Sequence, residues 1–194
     1  MKVSAIVMAS GHSKRMKRDK LLMKLKDKEI FKYIVDTIST LDFDKKILVA
    51  RKDLILSYGR EKGFTSVKNE KSFKGQSESI KLGVKNSDNV DGYMFFVADQ
   101  PFIKCETTNE LLDEFDKNPS KIIIPFYNNI KGNPIIFPSF LKEELLNIKE
   151  DKGGSAVIKN NKDIIKKVFI DTEYENIDID TKEAYEKLRS NVYG

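Results

Sequence analysis

The sequence has 194 residues, is 40% hydrophobic and 34% charged, and carries a formal net charge of +5 with a pI near 9.0. That is enough chain for one sizeable core, and no run approaches the ~18 apolar residues that identify a membrane-spanning helix. A single cysteine, Cys105, excludes an internal disulfide framework and a multi-cysteine zinc site. No zinc-finger spacing or aromatic RNA-binding signature accompanies the basic charge, so nucleic acid is not the expected partner. The first apolar run is short and flows into charge without a small-residue cleavage site, so no signal peptide and a cytoplasmic location are expected.

In chain order, KVSAIVMA reads as a buried strand. EIFKYIVDTISTL places Ile30, Phe31, Ile34, Val35, Ile38 and Leu41 at helical spacing. KKILVA is a second strand, and DLILSYGREKG a helix with Gly63 as its C-terminal cap. FTSVKN is a short strand, SESIKLGVKNS a helix and GYMFFVA the most apolar strand. TTNELLDEFDKN predicts a helix with a threonine cap, KIIIPF a strand, YNNIKGN a turn and PIIF its antiparallel partner. SFLKEELLNI, a short helix from Gly153, a strand at KKVFID, a last strand at ENIDI and a C-terminal helix at TKEAYEKLRSN complete the series.

Strands alternating with helices predict an α/β chain with a mostly parallel sheet covered on both faces. A late antiparallel strand is expected from the YNNIKGN turn. Residues 1–194 show no linker, repeat or low-complexity stretch and read as a single domain. Ligands of open parallel sheets sit beyond the carboxyl ends of the strands, so the residues just after each strand carry the functional reading.

Four such stretches stand out. After the first strand, ASGHSKRMKRDK combines small residues, Ala9, Ser10 and Gly11, with a cluster of cations. Successive backbone N–H groups in such a loop can cradle anionic oxygens, and Arg15 and Lys20 can reach over phosphates. A solvated basic loop is the plain alternative. Neither GxxxxGK[ST] nor GxGxxG is present. The second stretch, GQSESIKLG, opens a helix at Ser77 and Ser79, either as an ordinary cap or facing a base or phosphate. In ADQP, the third, Asp99 ends the most apolar strand, where it caps a turn or supplies the carboxylate that Mg²⁺ takes beside phosphates. The fourth, ENIDIDTKEAYEKL, offers Asp178 as a second carboxylate, while Asp180 or Thr181 reads as a helix cap.

Together and in this order, these stretches resemble the MobA-like nucleotidyltransferases, and among them the molybdenum cofactor cytidylyltransferases. The family's opening AAGxSxRMGxxK is matched by Ala9, Ser10, Gly11, His12, Ser13, Lys14, Arg15, Met16 and Lys20, with Lys17 in a glycine position. DQP is Asp99, Gln100 and Pro101. A later GxP is Gly132, Asn133 and Pro134. EDKGG stands for GDxG, with Glu150 replacing glycine, and DIDT ends at Thr181. The resemblance implies a Rossmann-like three-layer α/β/α fold in one nucleotidyltransferase domain. It also implies transfer of a nucleotidyl group from an NTP to a phosphate-bearing acceptor such as molybdopterin, with release of pyrophosphate.

On that resemblance Ala9, Ser10, Gly11, His12, Ser13, Arg15, Lys20, Ser77 and Ser79 bind the nucleotide. Arg15, Lys20 and Asp99 act in catalysis, and Asp99 and Asp178 hold Mg²⁺. ASG lies nearer the cytidylyl AAG than the guanylyl AGG, so CTP is expected ahead of GTP. A guanylyltransferase of molybdenum cofactor biosynthesis and a non-catalytic nucleotide-binding accessory protein are the alternatives. No membrane or nucleic-acid partner is expected. His12 reads as a loop contact or an exposed side chain, because an attacking phosphate is already ionised at neutral pH. Cys105 reads as an incidental thiol.

Overall fold

The structure is a computed structural model and describes residues 1–13, 19–149, 152–172, 174–179, 183, 185 and 186. Its strands are β1 (Val3–Ala9), β2 (Lys24–Leu25), β3 (Lys28–Glu29), β4 (Lys45–Ala50), β5 (Thr65–Lys68), β6 (Gly92–Val97), β7 (Ile122–Tyr127), β8 (Ile130–Lys131), β9 (Ile135–Pro138) and β10 (Ile165–Ile170). The helices are α1 (Ile30–Ser39), α2 (Asp53–Glu61), α3 (Gln76–Lys85), α4 (Cys105–Lys117), α5 (Lys142–Leu146) and α6 (Ser155–Asn160).

The main sheet runs β10-β7-β9-β6-β1-β4-β5, with β8 beside β7. β1 lies parallel to both β4 and β6, and β10 parallel to β7. β9 runs against β6 and β7, which is the antiparallel strand expected from the YNNIKGN turn. That turn is a tight hairpin whose corner residues, Asn128 and Asn129, both have positive φ. Asparagine tolerates the left-handed region better than most side chains.

Central strands are apolar on both sides because both faces are covered. Ala5 and Val7 of β1 pack with Phe31, Ile34 and Ile38 of α1, Ile55 of α2 and Leu111 and Phe115 of α4. Ile6, one residue out of phase, joins Ile80 and Val84 of α3, Leu145 of α5 and Val157 of α6 on the other face. Gly83 is what lets α3 approach β1, since a Cβ there would come within 2.4 Å of Ile6 Cγ2. From β1 the chain proceeds outward through β4 and β5, then returns across to β6 on β1's other side. This reversal opens a crevice at the carboxyl ends of β1 and β6.

Three local expectations need correction. ENIDI is not a strand: Tyr174–Asn176 make a 3-10 turn, and Ile179 donates its amide to Asp99 O at 3.3 Å without joining a ladder. Its alternating isoleucines mimic a strand, but Ile179 is buried against Leu25, Ile30 and Tyr185 in a small satellite core. Nor is α4 capped by threonine. It begins at Cys105, and Thr107 and Thr108 lie within it. The buried Glu175 does the capping from a distance, accepting from Lys104 N and Thr107 Oγ1 at 3.0 Å each. Finally, Ser77 does not cap α3. Gly75, at φ +100°, occupies that position, and Ser77 is buried inside the first turn. The two-residue hairpin β2–β3 was not foreseen. Most of the TKEAYEKLRSN stretch lies outside the described residues, of which Glu183, Tyr185 and Glu186 are helical.

Candidate active site

A cavity of about 420 Å³ opens at the carboxyl ends of β1 and β6. One wall is the loop that follows β1. Ser10, Gly11, His12 and Ser13 line it, while Ala9 is still part of the strand and is buried. Gly11 does not need its glycine for the protein's own packing. A Cβ there would meet no heavy atom of the described residues within 4 Å, and Gly11 lines the cavity. Ser10 turns its hydroxyl back to Val49 O at 3.2 Å and is buried. Ser13, at φ +49°, accepts the amide of Lys20 at 3.1 Å and so folds the end of the loop onto its beginning.

Lys20 and Asp99 meet at the cavity through an ion pair between Lys20 Nζ and Asp99 Oδ2, with side-chain exposures of 11% and 19%. The two residues are 79 apart in sequence. Asp99 follows β6, β1's neighbour in the sheet, and Lys20, in a 3-10 turn after the β1 loop, is held to that loop by its amide on Ser13. Little water reaches the pair, so each charge holds the other in place more firmly than at an open surface.

The third wall comes from the end of β5 and the start of α3. Ser72, Phe73, Gly75, Gln76 and Ser79 line it. Asn69 is buried and organises this wall, donating from its amide to Ser79 Oγ at 3.0 Å and accepting from Lys71 N at 3.1 Å. His12 Nε2 and Ser72 Oγ, 3.0 Å apart, tie this wall to the first loop. His12 is therefore an exposed contact between the two loops. Cys105 is half-buried at the start of α4, its sulfur near Thr40 Oγ1 and Thr37 O, and it does not line the cavity.

The structure thus brings together Ser10, Gly11, His12, Ser13, Lys20, Ser79 and Asp99 around one space. Ser77 is buried and does not line it. Asp178 is exposed and also outside the lining, but Ile179, the next residue, is bonded to the Asp99 carbonyl, so Asp178 stands beside the Asp99 turn. Arg15 lies outside the described residues, as do Lys14, Lys17, Glu150, Asp180 and Thr181.

One contributor has no motif to announce it. Arg51, just past β4, donates from Nη2 to Asp19 Oδ2 at 2.5 Å and from Nε to Gly11 O at 3.3 Å. It clamps the two sides of the cradle, Gly11 before the cationic run and Asp19 after it. Only the register Ala9↔Ala50 between β1 and β4 shows why Arg51 is in reach.

A divalent cation fits the residues present. Asp99 presents a carboxylate at the cavity and Asp178 stands next to its turn, matching the one or two carboxylates that Mg²⁺ takes from protein. Among the described residues no group of three or more His, Cys, Asp or Glu forms an all-protein metal site. Neither does any described helix have the length and apolarity to cross a membrane.

An open, mostly parallel sheet with a small-residue loop and a lysine–aspartate pair at its carboxyl edge defines a doubly wound α/β protein. The chain belongs to the MobA-like NTP transferase domain family, whose model matches residues 5–165. It is 31% identical over 125 residues to "Probable molybdenum cofactor guanylyltransferase" of Natranaerobius thermophilus, covering 63% of this chain and 60% of that protein. The 2-C-methyl-D-erythritol 4-phosphate cytidylyltransferase of Dictyoglomus thermophilum is 31% identical over 140 residues, 67% of this chain and 60% of its own length. Thus the match spans about 60% of each of these two relatives. A molybdenum cofactor guanylyltransferase of Syntrophotalea carbinolica is 29% identical over 154 residues, covering 79% of this chain and 69% of that one. Among solved structures, the manganese complex of Rv0371C from Mycobacterium tuberculosis superimposes with a TM-score of 0.80 at 20% identity, covering 98% of this chain and 99% of that one.

Proposed function

We propose that this protein is a nucleotidyltransferase that moves the NMP group of an NTP, GTP in the first instance, onto a phosphate-bearing acceptor of the molybdopterin class. The observation that carries the reading is the placement of the Lys20–Asp99 pair and the Gly11 loop around one cavity. The guanylyl preference replaces the cytidylyl one expected from Ser10. Two relatives named as guanylyltransferases support it. Ser10 itself gives CTP little support, because its hydroxyl is bonded to β4.

In this reading an ionised phosphate oxygen of the acceptor attacks the α-phosphorus of the NTP. The bond from that phosphorus to the bridging oxygen of the β-phosphate breaks, and pyrophosphate leaves with the electron pair. No general base is needed, which agrees with His12 being tied to Ser72. The amides of the Gly11 loop face the phosphates, and Lys20 neutralises charge on them. Arg15 of the same loop is proposed to hold the leaving pyrophosphate. Asp99, with Asp178, would hold a divalent cation, Mg²⁺ or the manganese seen with the mycobacterial relative. When bound, such an ion acts as a Lewis acid on phosphate oxygens. Asp99 has a further task, which is to keep Lys20 directed into the cavity.

The test is a thermal-shift panel of GTP, CTP and ATP with and without Mg²⁺ or Mn²⁺, followed by pyrophosphate release with molybdopterin as acceptor. A ligand that binds only the folded state raises apparent stability by mass action. GTP is expected to give the largest shift and to release pyrophosphate. Binding without release from any NTP would favour the accessory-protein reading, and no shift with any nucleotide would overturn nucleotide binding itself.

A further inference from the structure

Among the described residues seven large hydrophobic side chains are strongly exposed, and of these Phe73 alone lines the cavity. Scattered exposed apolar residues need no explanation. Phe73 differs from them in how its backbone is held. Its 3-10 turn, Ser72–Lys74, is closed by Lys74 N to Lys71 O at 2.9 Å and Gly75 N to Ser72 O at 3.2 Å. Asn69 fixes Lys71 and Ser79 on either side of the turn, and His12 fixes Ser72. The backbone under the ring is thus secured from both flanks while the side chain is 72% exposed. No described ring lies against it.

The cavity is also polarised. Among the described lining residues the charged side chains are Lys20 and Asp99, whereas the wall made by Ser72, Phe73, Gly75, Gln76 and Ser79 contributes none. A ligand with a polyanionic end and a flat, weakly polar end would place the first at Lys20 and the second at Phe73. We propose that Phe73 is the stacking platform for the nucleobase of the bound NTP. This rests on the nucleotidyltransferase reading and adds to it the residue that positions the base. Stacking on an aromatic face tolerates any base, so Phe73 sets affinity and orientation, while discrimination between bases falls to polar atoms around it.

The chain contains no tryptophan, so Phe73→Trp creates the sole tryptophan, which can be excited selectively at wavelengths beyond the absorption of the tyrosines. Titration with GTP or CTP in the presence of Mg²⁺ is expected to quench its emission saturably. Inorganic tripolyphosphate, which has charge but no base, should compete without quenching. In parallel, Phe73→Leu keeps an apolar side chain and removes the ring face, and it should weaken NTP binding about tenfold or more, while Phe73→Tyr stays within about twofold of wild type. Unchanged emission with an NTP that calorimetry shows to be bound would overturn the platform and leave the transfer reading intact. Wild-type affinity in Phe73→Leu would overturn it as well. Failure of every NTP to bind the wild-type protein would overturn both.

Discussion

Arg51→Gln isolates the clamp on the Gly11 loop. The substitution removes the 2.5 Å contact to Asp19 and the 3.3 Å contact to Gly11 O. Arg51 and Asp19 are only 21% and 15% exposed, so solvent replaces little of what is lost. A charge-assisted hydrogen bond contributes about 1.5–3 kcal/mol and the longer bond about 0.5 kcal/mol, or about 2–4 kcal/mol together. Asp19 Oδ1 is already buried without a partner, so the variant would leave that carboxylate deprived of its guanidinium as well. The clamped residues are Gly11, in the cradle, and Asp19, adjacent to Lys20. Part of the cost therefore falls on ordering the site when the nucleotide binds. We expect a lower urea midpoint and, by calorimetry, NTP binding weakened about 10- to 30-fold, equivalent to about 1.4–2 kcal/mol. Arg51→Lys should recover only part of the loss, because an ammonium cannot reproduce the fork. If Arg51→Gln is destabilised yet binds NTP within twofold of wild type, the clamp serves the fold and not the site.

Two glycines should part company. Gly11→Ala is expected to keep wild-type stability, since no atom of the described residues lies within 4 Å of the new Cβ, but to weaken NTP binding. Gly83→Ala should lower the urea midpoint, because a Cβ 2.4 Å from Ile6 Cγ2 overpacks the sheet by about 1–3 kcal/mol, against up to about 1 kcal/mol of regained helix propensity. A midpoint at or above wild type would show that Ile6 gives way. Asp99→Asn should lower kcat for pyrophosphate release about 10²–10³-fold. A loss smaller than tenfold would remove Asp99 from the chemistry. Asp36 predicts an acid limb of stability. Burial pushes its carboxyl pKa up, but hydrogen bonds from Lys28, Tyr58 and Lys62 outweigh this and hold it below 3.8. Its stabilisation is therefore present above pH 3.8 and lost as pH falls through the lowered folded value. The Asp36→Asn variant should lose less stability on acidification than wild type, and parallel denaturation curves across that range would refute this.

The parts of the site legible in sequence were those that follow apolar strands. β1 and β6 announce themselves by unbroken apolar runs, so Gly11, Lys20 and Asp99 stood out as strand-end residues. Arg51 also follows a strand, but beside a conspicuous basic loop it reads as one more surface cation. Its role depends on the pairing of β4 with β1, which no local pattern encodes. Glu175 was hidden for a similar reason, since a side chain that caps a helix 70 residues upstream leaves no local capping motif. Phe73 gave no signal because a single phenylalanine among lysines has no periodicity. ENIDI misled in the opposite direction: its period of two is real, yet the buried member faces a satellite core and not a sheet. For β2 and β3, two residues each are too few for any period to be seen.

The reversed direction of β9 has an architectural consequence. A parallel strand brings the residues after it to the ligand edge, whereas β9 brings those before it. Ile135 pairs with Phe95 near the end of β6, which places Gly132, Asn133 and Pro134 on the same edge as Asp99. Asn176 meets both parties there, lying against Gly132 and accepting a hydrogen bond from Gln100, the neighbour of Asp99. The rim of the crevice is therefore assembled from two separate stretches of chain that converge on one aspartate. The described lining of the cavity comes wholly from residues 8–99. On the transferase reading proposed above, the later loops would be free to change in length or chemistry, and with them the acceptor, while the lining keeps its residues.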